Sequence, residues 1–154
     1  MLINLLLGCI TVFISMGIQV TVVVYMIRYL IRIMGREDRK TGGFGFDTYA
    51  ISMVLLILFA GHLVQIAIWA GLFMFLGEFS DFLTAFYHSA VNFASLGYGD
   101  IVMSEKWRLL GALEASNGVL MFGLSAGTML TVMTNLFARH KLIRQSNIKN
   151  LNDQ

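Results

Sequence analysis

The chain has 154 residues, 57% of them hydrophobic and 13% charged, with a net charge of +2 at pH 7. A soluble domain carries about a quarter charged residues. Disorder, an acidic or basic nucleic-acid binder and a disulfide-stapled secreted domain are therefore excluded, and a single-domain membrane protein is the default. Cys9, the one cysteine, lies in an apolar run. It permits neither an intrachain disulfide nor a metal set and reads as a buried, inert thiol.

A spanning helix needs about 20 mostly apolar residues. Residues 1–27 carry no charge, and a first span is expected over 1–33. The run is too long for a signal-peptide core and has neither a basic start nor a small-residue cleavage site. Residues 34–48 form a polar connector. Its Gly42 to Phe46 stretch is no phosphate loop, because a charged connector precedes it and a membrane helix follows; it reads as a flexible turn. A second span is expected over 49–77. Residues 80–93 then suit a short helix with Ser80 as N-cap and Asp81 in the first turn. At under about 20 Å it can enter a membrane but not cross it. Irregular backbone follows over 95–100, Ser-Leu-Gly-Tyr-Gly-Asp. Such a segment is tolerated at membrane depth only where it lines a water-filled path or is buried in protein. A third span is expected over 107–138, broken only by Arg108 and Glu114, with a tail over 139–154. The fold class is an all-α membrane protein of three transmembrane helices plus a re-entrant helix.

Basic residues set orientation. Arg28, Arg32, Arg36, Arg39 and Lys40 surround the connector, and Arg139, Lys141, Arg144 and Lys149 fill the tail. Only Lys106 and Arg108 flank the segment between the second and third spans. The connector and C-terminus are expected in the cytoplasm, and the N-terminus and residues 78–106 outside. Glu78, Asp81, Asp100 and Glu105 then form an outer mouth attractive to cations, with a merely solvated rim the equal alternative for Glu78 and Glu105.

Gly97, Tyr98, Gly99 and Asp100, placed after a short helix between two spans, resemble the filter of the potassium-channel pore family. That family has Thr-Val-Gly-Tyr-Gly before the Asp; this chain has Ser95 for Thr and Leu96 for Val. The resemblance covers roughly residues 50–137. The layout is similar to that of small bacterial single-pore channels with an extra N-terminal span. It implies K+ bound by carbonyl oxygens of Ser95, Leu96, Gly97 and Tyr98, with Gly99 completing the filter. One chain supplies one filter segment, so a homotetramer in a bacterial inner (plasma) membrane is implied, with K+ as permeant ion and no cofactor. Aligned carbonyls need backbone angles alternating between hands, which glycine adopts at little steric cost. Asp100 is expected behind the outer mouth with Tyr87 as partner. Val91 stands where some relatives have a pore-helix acid. The short helix would turn the negative end of its dipole to the cavity and favour a cation there.

The third span would line the pore. With no Pro in the chain, bending falls to glycine, and Gly118 is the first expected hinge and Gly123 the second. Gly123 and Gly127 also have a spacing suited to close helix packing. Glu114, an ionisable group inside a span, is expected to bond the pore helix or filter surround, with direct cavity lining the second reading and proton sensing the third. Asn117 and Ser116 are expected to meet Gln65, and His62 to meet Gln19. Trp69 and Trp107 read as anchors or core. No span carries regularly spaced arginines, and no ligand-gating module is visible. The leading function is a potassium-selective channel. The alternatives are a weakly selective cation channel and a non-conducting membrane regulatory subunit. The three histidines lie in different segments, and no catalytic cluster points to an enzyme.

Overall fold

A computed structural model of the chain describes residues 2–36 and 44–152. They form four helices: α1 (Leu2–Arg36), α2 (Phe44–Phe75), α3 (Phe82–Phe93) and α4 (Arg108–Asn152). Three are long and apolar enough to cross a membrane, over Leu2–Arg32, Gly45–Phe75 and Arg108–Lys141.

Two boundaries differ from expectation. Phe44, Gly45 and Phe46 are helical rather than a turn. Asp47 lies in the first turn of α2 and interacts favourably with the positive end of the helix dipole. Gly42, Gly43, Arg39 and Lys40 lie outside the described residues. At the other extreme, α4 continues through the expected tail to Asn152. No Gly or Pro occurs between Gly127 and Asn152 to stop it.

Contacts at both ends set the topology. Asp47 at the start of α2 meets His140 of α4, and Arg139 lies 5.3 Å over the Phe46 ring. Glu78, just past α2, binds Ser104, just before α4. Helices α2 and α4 are therefore antiparallel. Asn4 Nδ2 donates to the Lys106 carbonyl at 2.5 Å, and Gln19 reaches Ser125 further along. Helices α1 and α4 are therefore parallel.

Apolar burial falls into two clusters. Ile66, Trp69, Phe73, Phe93, Trp107, Leu110 and Met121 gather around α3. Met26, Ala50, Val54, Leu58, Val132 and Leu136 fill the opposite end. Both tryptophans thus belong to the core. The buried stripe of α1 has a different character: Asn4, Gly8, Thr11, Ser15 and Gln19 recur at three- and four-residue steps and are polar or small. Its outward face carries Leu6, Phe13, Val20 and Tyr25. This suits a helix whose surroundings are as apolar as leucine, where association comes from close packing and hydrogen bonds. Cys9 lies on that outward face and is exposed, not buried.

Polar contacts tie the three long helices together at mid-length. Gln65 Nε2 donates to Gln19 Oε1 at 2.7 Å, and Gln19 Nε2 donates to Ser125 Oγ at 2.9 Å. The Ser125 hydroxyl lies 3.1 Å from His62 Nε2. Gln65 therefore meets Gln19 rather than Asn117 or Ser116, and His62 reaches Gln19 only through Ser125. Ser116 turns back to the Ala112 carbonyl at 3.0 Å. The cause is register: α1 supplies a hydrogen-bonding side chain at the level of Gln65 that the pattern of α2 and α4 alone does not reveal.

Candidate functional site

The site is built from two similar chain reversals. Helix α2 ends where Gly77 takes φ +78°. The Gly77 N–H bonds the Met74 carbonyl and the Glu78 N–H bonds the Phe73 carbonyl, both at 3.0 Å. This paired pattern around a left-handed residue is the Schellman cap. Glu78 then accepts from the Ser104 N–H at 2.8 Å and its hydroxyl at 2.5 Å. The loop between α2 and α4 is thereby closed on itself.

Helix α3 starts one residue later than the sequence suggests. Asp81, not Ser80, is its N-cap, and Asp81 Oδ2 accepts from the Thr84 N–H at 2.9 Å and the Thr84 hydroxyl at 3.0 Å. The shorter Ser80 side chain gives way to a carboxylate able to take both bonds beside the helix dipole. Those bonds hold the Asp81 carboxyl below the usual carboxylate range.

The far end of α3 repeats the reversal with a different residue. The Ser95 N–H bonds the Asn92 carbonyl at 2.8 Å, and the Leu96 N–H bonds the Val91 carbonyl at 2.9 Å. The left-handed position, normally glycine, is Ser95 with φ +56°. A non-glycine residue there carries a steric penalty of about 1–2 kcal/mol, and such penalties concentrate at functional sites. Sequence reasoning assigns left-handed backbone to the glycines and misses Ser95. No pattern short of the cap itself marks it.

From Ser95 the backbone alternates. Gly97 has φ +60° and Gly99 has φ +73°, while Leu96 and Tyr98 keep negative φ. Every second residue over 95–99 is therefore left-handed. Leu96 and Tyr98 are exposed in the single chain. Asp100 turns back to α3, where the Tyr87 hydroxyl donates to its Oδ2 at 2.7 Å. That bond holds the Asp100 carboxyl low and pushes the Tyr87 phenol up. The segment thus leaves the end of α3 and returns along its side.

Depth is set by α4. A methyl group added at Gly118 would sit 1.9 Å from the Phe93 carbonyl oxygen. The tip of α3 therefore touches α4 ten residues past Arg108, about 15 Å along its axis. Helix α3 enters beside α4 and stops partway, which is the re-entrant course. Gly118 is held in place by this close approach, a packing duty absent from its reading as a hinge. A methyl added at Gly123 would meet no other helix within 4 Å among the described residues.

The face of α4 against α3 is Gly111, Glu114 and Gly118. Glu114 is fully buried and faces Ser89 and Asn92 of α3. Asn92 Nδ2 lies 3.3 Å from Glu114 Oε2 and 2.9 Å from His88 Nε2, while His88 Nδ1 lies 3.1 Å from the Ile101 carbonyl. A methyl at Gly111 would lie 3.1 Å from Asn92 Nδ2, so glycine leaves room for the amide. Sequence reasoning picks Glu114 but not His88 or Asn92. The available signal is two polar residues one turn apart on a short apolar helix. Val91, also on α3, is buried and offers Asp100 no acid partner.

A family model described as an ion channel matches residues 50–135, just over half of the chain. The chain belongs to this ion-channel family. Comparison with curated proteins and with solved structures returns no match. The matched stretch opens in α2, contains all of α3 and the 95–100 segment, and closes in α4. Helix α1 and the last turns of α4 are this channel's additions to the matched region. The four acids between α2 and α4 are mostly engaged locally: Glu78 with Ser104, Asp81 with Thr84 and Asp100 with Tyr87. Glu105 and Arg108 approach only to 4.0 Å, both well exposed, and such a pair contributes little.

Proposed function

We propose that the channel is a homotetramer in a bacterial inner membrane that conducts K+ selectively through Ser95, Leu96, Gly97, Tyr98 and Gly99. The observation that carries this reading is the left-handed backbone at Ser95, Gly97 and Gly99, alternating with Leu96 and Tyr98. Alternation of hand lets successive carbonyls turn to the same side. Four such rows around an axis supply stacked rings of oxygens able to replace an ion's hydration shell. Leu96 and Tyr98, exposed in one chain, turn outward to pack against neighbouring subunits and set the width of the path. Ser95 contributes a hydroxyl to the innermost ring.

Tyr87 and Asp100 brace the return of the segment. Glu114 braces α3 against α4, which lines the pore. Gly123 is the freer hinge of α4, because Gly118 is held against Phe93. The excess of basic residues puts the connector and C-terminus in the cytoplasm, and the N-terminus and the 78–106 loop outside.

The test is cation flux into liposomes holding purified protein. K+ uptake should exceed Na+ uptake and barium should block it. Equal passage of Na+ and K+ would favour the weakly selective reading, and no flux at all the regulatory one.

A further inference from the structure

We propose that His88 is a positioning residue for the conduction segment, holding the backbone beyond Asp100 through the Ile101 carbonyl. Asn92 and Glu114 select the form of the ring able to do this. The inference rests on the reading of residues 95–99 as the ion path.

Hydrogen-bond chemistry assigns each proton. The Ile101 carbonyl, 3.1 Å from His88 Nδ1, is only an acceptor, so Nδ1 carries a proton. Asn92 Nδ2, 2.9 Å from His88 Nε2, is only a donor, so Nε2 is bare. The neutral Nδ1–H tautomer alone meets both neighbours. An imidazolium would set donor against donor, and the other tautomer would lose both bonds.

The amide's orientation is set in turn by α4. Asn92 Nδ2 also faces Glu114 Oε2 at 3.3 Å. With Oε2 unprotonated, the amide turned over would set oxygen against oxygen and leave His88 Nε2 without a donor. Glu114 thus orients Asn92, Asn92 orients the imidazole, and the imidazole holds Ile101. Burial makes the chain of bonds exclusive, since Glu114 is fully buried and His88 is 5% exposed. The rings of Phe73 and Phe79 lie 5.7 and 5.0 Å from the imidazole and fix its plane. Tyr87 and His88 are consecutive, as are Asp100 and Ile101. Helix α3 therefore grips the returning segment twice, once by a side chain and once by its backbone.

Two isosteric variants separate the ring's atoms. His88→Asn places an amide nitrogen near Nδ1 and keeps the donor to Ile101. His88→Gln places its amide near Nε2 and keeps only the contact with Asn92. In reconstituted full-length protein, His88→Asn should hold the K+/Na+ permeability ratio within about twofold of wild type. His88→Gln should lower it about tenfold, as for one lost buried hydrogen bond. Glu114→Gln, whose amide oxygen still accepts from Asn92, should follow His88→Asn; Glu114→Leu should follow His88→Gln. Equal ratios in His88→Asn and His88→Gln would overturn the proposal. A second measurement is independent of conduction: nitrogen-15 solid-state spectra of ring-labelled protein at neutral pH, with the His88 signal assigned by its loss in His88→Asn. A proton on Nδ1 alone is expected, and a proton on Nε2 overturns the assignment. If the wild type fails to discriminate K+ from Na+, the selectivity reading falls, and the ring spectrum alone decides the role of His88.

Discussion

Ser95 and Gly77 occupy the same place in two chain reversals, and only one of them is glycine. Ser95 tolerates φ +56° because two backbone hydrogen bonds of the cap and the close contact of α3 with α4 fix its surroundings. Ser95→Gly should relieve about 1 kcal/mol of that penalty and raise the thermal unfolding midpoint, while removing a hydroxyl from the proposed ion path. A lowered midpoint would mean that the hydroxyl matters more to stability than the backbone conformation. Asp100 illustrates a second residue-level effect. Its carboxyl is held low by the Tyr87 hydroxyl. A group with a lowered pKa in the fold contributes stability above its unfolded value and loses it as pH falls through the lowered one. In Tyr87→Phe the folded and unfolded values converge, so the variant should be less stable than wild type near neutral pH and should lose less stability as pH falls through the acid range. A stability–pH curve identical to that of wild type would count against the contact. The Gly97–Asp100 run is legible in sequence because glycine advertises left-handed backbone. Ser95 and His88 are not, because a hydroxyl and an imidazole acquire their roles only from what faces them.

Among the elements, α3 depends on α4 for its depth. The face formed by Gly111, Glu114 and Gly118 offers room, a carboxyl and room again, and α3 fits against it. Gly118→Ala would drive a methyl into the Phe93 carbonyl, whose Gly118-facing oxygen lies 1.9 Å from the methyl's ideal position. Because the obstacle is backbone, the helices must separate, at a cost of about 1–3 kcal/mol. The unfolding midpoint and the K+/Na+ ratio should fall together in this variant, and a protein as stable as wild type would mean that the two helices do not touch there. Gly123→Ala meets no such obstacle among the described residues of its own chain. Helix α1 carries a signal that its hydrophobicity hides. Asn4, Gly8, Thr11, Ser15 and Gln19 recur at helical spacing, but the apolar run around them reads simply as a span. Helix boundaries are the least legible feature: α2 begins five residues before the expected Tyr49, and α4 runs fourteen past the expected Ala138. Hydrophobicity marks where a membrane is crossed, whereas capping and the absence of Gly and Pro decide where a helix stops.

For the whole molecule, one chain presents the alternating segment on an open side. Leu96 is 54% and Tyr98 65% exposed, a cost in water that neighbouring subunits would remove. Native mass measurement of the detergent-solubilised protein should give about four times the 17.2 kDa chain mass. A stable monomer or dimer would count heavily against a carbonyl-ring pore. The sequence by itself determined the membrane class, the three spans, the short helix between the last two and the Gly-Tyr-Gly-Asp run. Each follows from composition, run length or the special backbone freedom of glycine, all of which are local. The tertiary structure decided that Asp81 caps α3, that Gly118 packs against the end of α3, that Gln19 binds Gln65 and Ser125, and that His88, Asn92 and Glu114 form one chain of hydrogen bonds. Those depend on which helix lies beside which and in what register, and register is set by packing between residues far apart in the sequence.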